Sequence, residues 1–232
     1  MPKSDFPEIR GLELFAEMSD ENFLALMRGS YVQTFPPQID LIEEGDTSDF
    51  LHIVLSGSVE LFSSWNRRET SMATVHPVST FILAATIKDA RYLMSARTLE
   101  KSRIALIPSQ DVRAVFEIDA KFARNVVTEL AQCYRSVVKN TKDLKLRTSL
   151  ERLANFLLRQ QKRAQGQAEF DLTIEKRRLA SLLGMTPENL SRAFKSLQAY
   201  GVRVTGNRVV ISDQKDLEAF AKSSPLIDDY AT

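Results

Sequence analysis

The apolar positions of this chain change period twice. From residue 20 to residue 27 they recur at helical spacing. From residue 31 to about residue 107 they fall into short runs rich in β-branched and aromatic side chains: YVQTF at 31–35, FLHIVL at 50–55, SVELF at 58–62, SMATV at 71–75 and SRIALI at 102–107. Turn-forming pieces separate the runs, namely FPP at 35–37, EGD at 44–46, SGS at 56–58, WNR at 65–67 and VHP at 75–77. This alternation predicts an antiparallel β sandwich or barrel. From Pro108 the spacing turns helical again. Ala123, Val127, Leu130, Tyr134, Val137, Thr141 and Leu144 then alternate steps of four and three, an a/d seam of about three heptads. Such a seam reads as a helix that pairs with a second copy; the alternative is a helix packed on its own β domain.

A second amphipathic helix is predicted over 148–163, with Leu150, Leu153, Ala154, Leu157 and Leu158 on one face. The stretch LASLLGMTPENLSRAF at 179–194 follows, and then VRVTGNRVVI at 202–211, whose Gly206-Asn207 pair is a tight hairpin signal. Helix, helix, turn, helix and hairpin in that order predict a winged helix-turn-helix. Gly184 ends the helix at 175–183, because glycine takes a left-handed conformation without steric cost. Thr186 is the expected N-cap of the next helix and Pro187 its first residue, where no amide donor is needed. Leu190, Phe194 and Leu197 then face inward, leaving Glu188, Ser191, Arg192 and Lys195 outside. Arginine forks onto guanine, glutamate accepts from the cytosine amino group, and serine serves either way, so Glu188, Ser191 and Arg192 are the expected base readers. Arg177, Arg178, Lys195 and Arg208, with Lys176 and Arg203, are expected to meet phosphates and set register. The competing reading is a small packing module with a polar outer face.

Charge supports the DNA reading. Residues 1–134 carry 13 basic and 19 acidic side chains, whereas residues 135–210 carry 16 basic and 6 acidic, although the whole chain is only +1. A segment that basic suits a polyanion. At 232 residues the chain can hold more than one core, and the expected division is 1–118, 119–146 and 147–232. The fold class expected is α+β. The single cysteine, Cys133, excludes an internal disulfide framework, a Cys-rich zinc site and an iron-sulfur cluster; mid-helix at the seam's edge, it is expected to be a buried apolar filler. With no apolar signal core and no spanning run, a cytoplasmic protein is the expectation. A cupin-like metal enzyme would need a His-x-His and Glu cluster, which the two histidines, 24 positions apart, do not make.

GD at 45–46 followed by LHIVLSGSVEL at 51–61, the heptad helix, and ENLSR at 188–192 together resemble the CRP/FNR superfamily of bacterial transcription regulators over nearly the whole chain. The resemblance implies an N-terminal β-roll sensor of the cyclic-nucleotide-binding type, a dimerisation helix seamed by Val127, Leu130, Tyr134 and Val137, and a DNA-binding domain. It implies double-stranded DNA, a second copy of the chain and RNA polymerase as partners. The E-x-x-S-R pattern is similar to the FNR branch and implies TTGAT-like half-sites, with Arg192 on the guanine and Glu188 on the opposing cytosine. LGMTPENLSRAF is also similar to the nitric-oxide-responsive NnrR type.

One departure bears on the signal. Relatives that bind cyclic AMP carry Gly-Glu and later Arg-Ser/Thr to hold the phosphate; here the matching positions read FILAAT at 81–86 and YLMSA at 92–96, with Met94 where the arginine is expected. Cyclic AMP is therefore not the expected effector, although a divergent cassette served by Arg91 or Arg97 stays open. Phe81, Leu83, Met94 and Ser95, with Ile82, Tyr92 and Leu93, are expected to line an apolar effector pocket. Haem carrying nitric oxide would suit such a lining, with His52 or His76 as candidate iron ligands against a purely structural role for each.

Overall fold

A computed structural model describes residues 6–66 and 68–229. The outer ends of the first and last expected segments, and Arg67 of the predicted 65–67 turn, lie outside the described residues. The chain forms two compact units, Met1–Cys133 and Tyr134–Thr232.

The first unit opens with helices α1 (Phe6–Arg10), α2 (Glu13–Ala16) and α3 (Asp20–Arg28). Strands β1 (Tyr31–Phe35), β2 (Asp40–Ile42), β3 (Phe50–Ser56), β4 (Val59–Trp65), β5 (Arg68–Val75) and β6 (Ser79–Phe81) follow, then a short helix α4 (Leu83–Lys88). Strands β7 (Ser95–Thr98) and β8 (Ser102–Pro108), helix α5 (Ser109–Ile118) and the long helix α6 (Ala120–Leu146) come next. The strands make two four-stranded sheets, in the orders β1-β8-β3-β6 and β2-β7-β4-β5, with every pairing antiparallel. The five predicted runs are present as β1, β3, β4, β5 and β8; β2, β6 and β7, of three or four residues each, are too short to show a period.

The FLHIVL run is apolar on successive positions because β3 is covered on both faces. Leu51, Ile53 and Leu55 of β3, with Ala105 and Ile107 of β8, pack against α1–α3, α5 and Phe122 and Val126 of α6. Val54, Ile104 and Leu106 turn the other way and meet Val59, Leu61, Ala96 and Ile42 of the second sheet inside the roll. Gly57, at φ 84, makes the turn from β3 to β4; a Cβ there would lie 2.3 Å from Ser102 Oγ, so only glycine fits.

Asp119 starts α6. Its carboxylate accepts from the amides of Lys121 and Phe122 and, across to α3, from Ser19 N and Asn22 Nδ2. Burial pulls its pKa up, but these hydrogen bonds outweigh burial and hold it low. The heptad residues of α6 then divide. Leu130 packs on the core of the first unit, whereas Val127, Tyr134 and Val137 stay 60%, 70% and 61% exposed. Cys133 is exposed, against the expectation of a buried filler, on the same open stretch of α6 as Tyr134.

The second unit takes the last turns of α6, helix α7 (Ser149–Arg163), strand β9 (Glu169–Asp171), helices α8 (Lys176–Leu182) and α9 (Pro187–Leu197), a 3-10 turn, the hairpin β10 (Val202–Thr205) and β11 (Arg208–Ile211), and helices α10 (Gln214–Ala221) and α11 (Pro225–Asp228). Thr148 and Glu151 form a capping box at the head of α7. The hairpin has a two-residue loop, Gly206-Asn207, and β9 extends it to three strands in the order β10-β11-β9.

A carboxylate at the end of the described chain closes this unit. Asp228 receives both guanidinium nitrogens of Arg147, at 2.8 and 2.7 Å, Arg159 at 2.8 Å and the Ser224 amide at 2.8 Å, while Arg147 also reaches Asp143 at 2.8 Å. These bonds tie α11 to the end of α6 and to α7. Asp228→Ala leaves two largely buried guanidinium groups short of their partner and is expected to destabilise the second unit by about 3 kcal/mol. The check is the urea midpoint, with Lys215→Ala on the exposed face of α10 as the neutral comparison.

Candidate nucleic-acid interface and effector pocket

The turn between α8 and α9 is built from backbone hydrogen bonds. Met185 N donates to Ala180 O at 2.9 Å and Gly184 N to Ser181 O at 2.9 Å, the paired bonds of a Schellman ending, with Gly184 at φ 62. Thr186 Oγ1 then accepts from Asn189 N at 3.2 Å and Pro187 takes the first position of α9. The carbonyls left over at the turn go to Arg152, a buried residue of α7. Its Nε donates to Leu183 O at 2.8 Å and an Nη to Gly184 O at 3.5 Å, while the other Nη reaches Arg147 O, at the end of α6, at 2.7 Å. Sequence reading passed over Arg152; the available signal was a charge within the apolar stripe of α7, at the step between Leu150 and Leu153.

Leu190, Phe194 and Leu197 bury the inner face of α9 in the core of the unit, as predicted, and Ala193 joins them. Glu188, Ser191, Arg192 and Lys195 stand exposed along the other face. The carboxyl of Glu188 is held below its usual range, first by its own backbone amide, then by the Thr186 hydroxyl and the Arg192 charge. It is thus an acceptor at neutral pH. Ser191 Oγ donates to Pro187 O at 3.0 Å, leaving its lone pairs to accept. Arg177 is exposed; Arg178 is mostly covered and lies 3.9 Å from Glu175, and Arg208 is paired to Glu169 at 2.8 Å. Of the four expected phosphate contacts, Arg177, Lys195 and Arg208 are exposed, the last of them paired to Glu169, and Arg178 is the one mostly covered.

In the β-roll the expected pocket residues part company. Phe81 and Met94 belong to the roll interior, but Leu83 packs in the separate core beneath the helices, and Leu93 is 82% exposed. The short α4 turns Leu83 through to the helix side of β3, which a linear reading of FILAAT does not anticipate. Ser95 Oγ accepts from Glu44 N at 3.0 Å. Neither substitute arginine reaches the interior. Arg91 donates to Gly45 O at 2.6 Å, and Arg97 lies over the Phe62 ring and bonds Glu60 and Glu69 at 3.3 and 2.8 Å. Because Ala96 points into the roll, its neighbour Arg97 points out.

The histidines also separate. His76 is exposed just beyond β5. His52, on β3, is only 4% exposed; its ring lies 5.1 Å from that of Phe81, and its buried Nδ1 has no hydrogen-bond partner. Burial pushes its pKa down to about 4, against a smaller upward pull from the Phe50 backbone. Among the described residues no three His, Cys, Asp or Glu side chains gather to hold a metal ion, and no helix is long and apolar enough to cross a membrane.

A family model described as cyclic nucleotide-binding domain matches residues 32–119, and one described as Crp-like helix-turn-helix domain matches residues 151–220. The chain is similar to the transcriptional activator protein Anr of Pseudomonas aeruginosa, 26% identical over 186 residues that span 78% of this chain and 76% of Anr. The Anr of Pseudomonas protegens is 25% identical over 189 residues, spanning 79% and 78%. Among solved structures, FixK2 from Bradyrhizobium japonicum shares the fold with a TM-score of 0.71 at 20% identity, over 84% of this chain and 98% of that one.

Two outcomes follow from this geometry. Arg152→Ala strands the Leu183 and Arg147 carbonyls and is expected to lower stability by about 2 kcal/mol and to weaken any DNA binding along with it; a denaturant melt run beside a binding titration checks both. The unfolded chain protonates His52 near pH 6.5 while the folded chain keeps it neutral down to about pH 4. Stability contributed by the neutral ring is therefore complete above pH 6.5 and lost as pH falls through that window, by about 3 kcal/mol in all. In His52→Phe the fall in urea midpoint between pH 6.5 and 4 is expected to flatten.

Proposed function

Because the chain belongs to the CRP/FNR superfamily of DNA-binding transcription regulators, we propose that it works as a homodimer, reading an inverted repeat of TTGAT-like half-sites under control of an effector held by the β-roll. The observation that carries this reading is the head of α9, where Glu188, Ser191 and Arg192 stand clear of the protein on a helix whose start is capped and whose inner face is buried. An anionic acceptor and a guanidinium one turn apart match a cytosine amino group and a guanine edge. Val127, Tyr134 and Val137 leave an apolar stripe exposed along α6, as a seam with a second copy requires. Two-fold pairing then puts the half-sites about 34 Å apart, one helical turn of DNA. RNA polymerase is the partner implied once the dimer is seated.

The effector proposed is not a cyclic nucleotide: Met94 stands where the resemblance places the phosphate-holding arginine, and Arg91 and Arg97 make their hydrogen bonds elsewhere. Haem does not fit either. Asp40, Glu43, Asp46 and Asp49 surround the pocket in front of His52, where the propionates of haem would meet like charge, and His76 sits on an exposed turn outside that pocket. The nitric-oxide reading depended on haem and is set aside with it. Whatever the effector, it can shift the protein only by binding one arrangement of the dimer better than the other.

Fluorescence anisotropy on a duplex bearing a TTGAT inverted repeat tests the reading. Specific binding that drops by about tenfold to a hundredfold in Arg192→Ala, with discrimination lost at the guanine, is expected. Lys195→Ala should weaken all sequences alike and lower the salt slope by about one. Equal affinity for scrambled DNA would reject it.

A further inference from the structure

A pocket of about 580 Å³ opens into the β-roll beside β2 and the segment that joins β2 to β3. Its rim carries four exposed carboxylates, Asp40, Glu43, Asp46 and Asp49, none of them in an ion pair among the described residues. Arg91, beside them, donates to the Gly45 carbonyl, and its one positive charge against four carboxylates leaves the rim an excess of negative charge. Ile42, Phe50 and Leu106 supply its apolar wall. Deepest lies His52. Its strand neighbours Leu51 and Ile53 face the helices, so the imidazole faces the roll interior and this pocket. There the buried Nδ1 has no partner, although buried polar atoms in folded proteins almost always have one. The Tyr92 hydroxyl, which also lines the pocket, donates to Phe50 O at 3.3 Å and is satisfied within the fold, so His52 carries the unmet hydrogen bond.

Charge at the mouth, an apolar wall and an unsatisfied polar atom inside are the three parts of a small-molecule site. A metal ion is the wrong occupant, since no three ligating side chains converge among the described residues. We propose that this pocket binds a small organic cation, an ammonium group on an aromatic or aliphatic body, with the charge at the carboxylate rim, the body between Phe50 and Leu106, and a donor N–H directed to His52. The proposal rests on the reading of the β-roll as an effector domain, for which it names the chemical class of ligand.

Calorimetry on the full chain with tryptamine as the probe tests it, because tryptamine joins an ammonium to an aromatic body that carries an N–H. Indole-3-propionate, with the same ring and the opposite charge, is the control. Expected are saturable binding of tryptamine, none of indole-3-propionate, and a tenfold or greater loss of affinity in the exposed rim variant Asp46→Asn/Asp49→Asn. His52→Phe should abolish the binding while its melting behaviour shows it folded; the rim variant carries the test if that substitution unfolds the roll. No saturable heat with tryptamine, equal binding of the two probes, or full affinity in the rim variant overturns the proposal. Anisotropy on the same samples with the TTGAT duplex keeps the outcomes apart: DNA binding retained without tryptamine binding rejects the pocket alone, and tryptamine binding without DNA recognition rejects the regulator reading alone.

Discussion

The recognition helix owes its placement to one guanidinium. A helix-turn-helix turn leaves carbonyls that neither helix can satisfy, and in this chain a buried guanidinium meets them. Arg152 collects Leu183 O and Gly184 O from the turn and Arg147 O from the end of the long helix, so a single planar group fixes the turn against the helix that feeds the unit. Five donors in a rigid fork make this an arginine site; lysine offers a point charge that cannot span three carbonyls. Everything presented on α9 is aimed by that clamp, and the Schellman ending at Gly184 and the Thr186 cap then set how sharply α9 begins.

A second polar cluster works within the same unit. Asp228 joins Arg147 and Arg159, and Asn155 Nδ2 donates to Ala221 O at 2.7 Å while Ser223 Oγ donates to Asn155 Oδ1 at 2.7 Å. The segment that follows the helix-turn-helix match thus returns to α6 and α7 instead of trailing away. Arg147 contributes to both clusters, its carbonyl to Arg152 and its guanidinium to Asp228. The end of the long helix is therefore held within the second unit by main chain and side chain at once.

In the β-roll the same physics of unpaired polar atoms points to the sensor. His52 on β3 and Tyr92 before β7 line the interior pocket; Tyr92 is satisfied within the fold, whereas His52 Nδ1 has no partner. The carboxylates in front of His52 repel phosphate and propionate alike, so the features that disfavour cyclic nucleotides and haem are the ones that favour a cation.

Local pattern alone determined a good deal: the two changes of period, the capped break at Gly184-Met185-Thr186-Pro187, the exposed face of α9 and the hairpin at Gly206-Asn207. These depend on residues a few positions apart, and capping, turn and amphipathic preferences act over that range. Tertiary structure alone decided the rest. It sent Phe81 and Leu83 to opposite sides of β3, drew Leu130 onto the core and left Cys133 bare, turned Arg97 outward, and gave Arg152 and Asp228 partners 31 and 81 positions from them in sequence. Which face of a strand is buried twice, and which charge meets which, follow from contacts between distant segments, and no window along the chain contains both ends of such a contact.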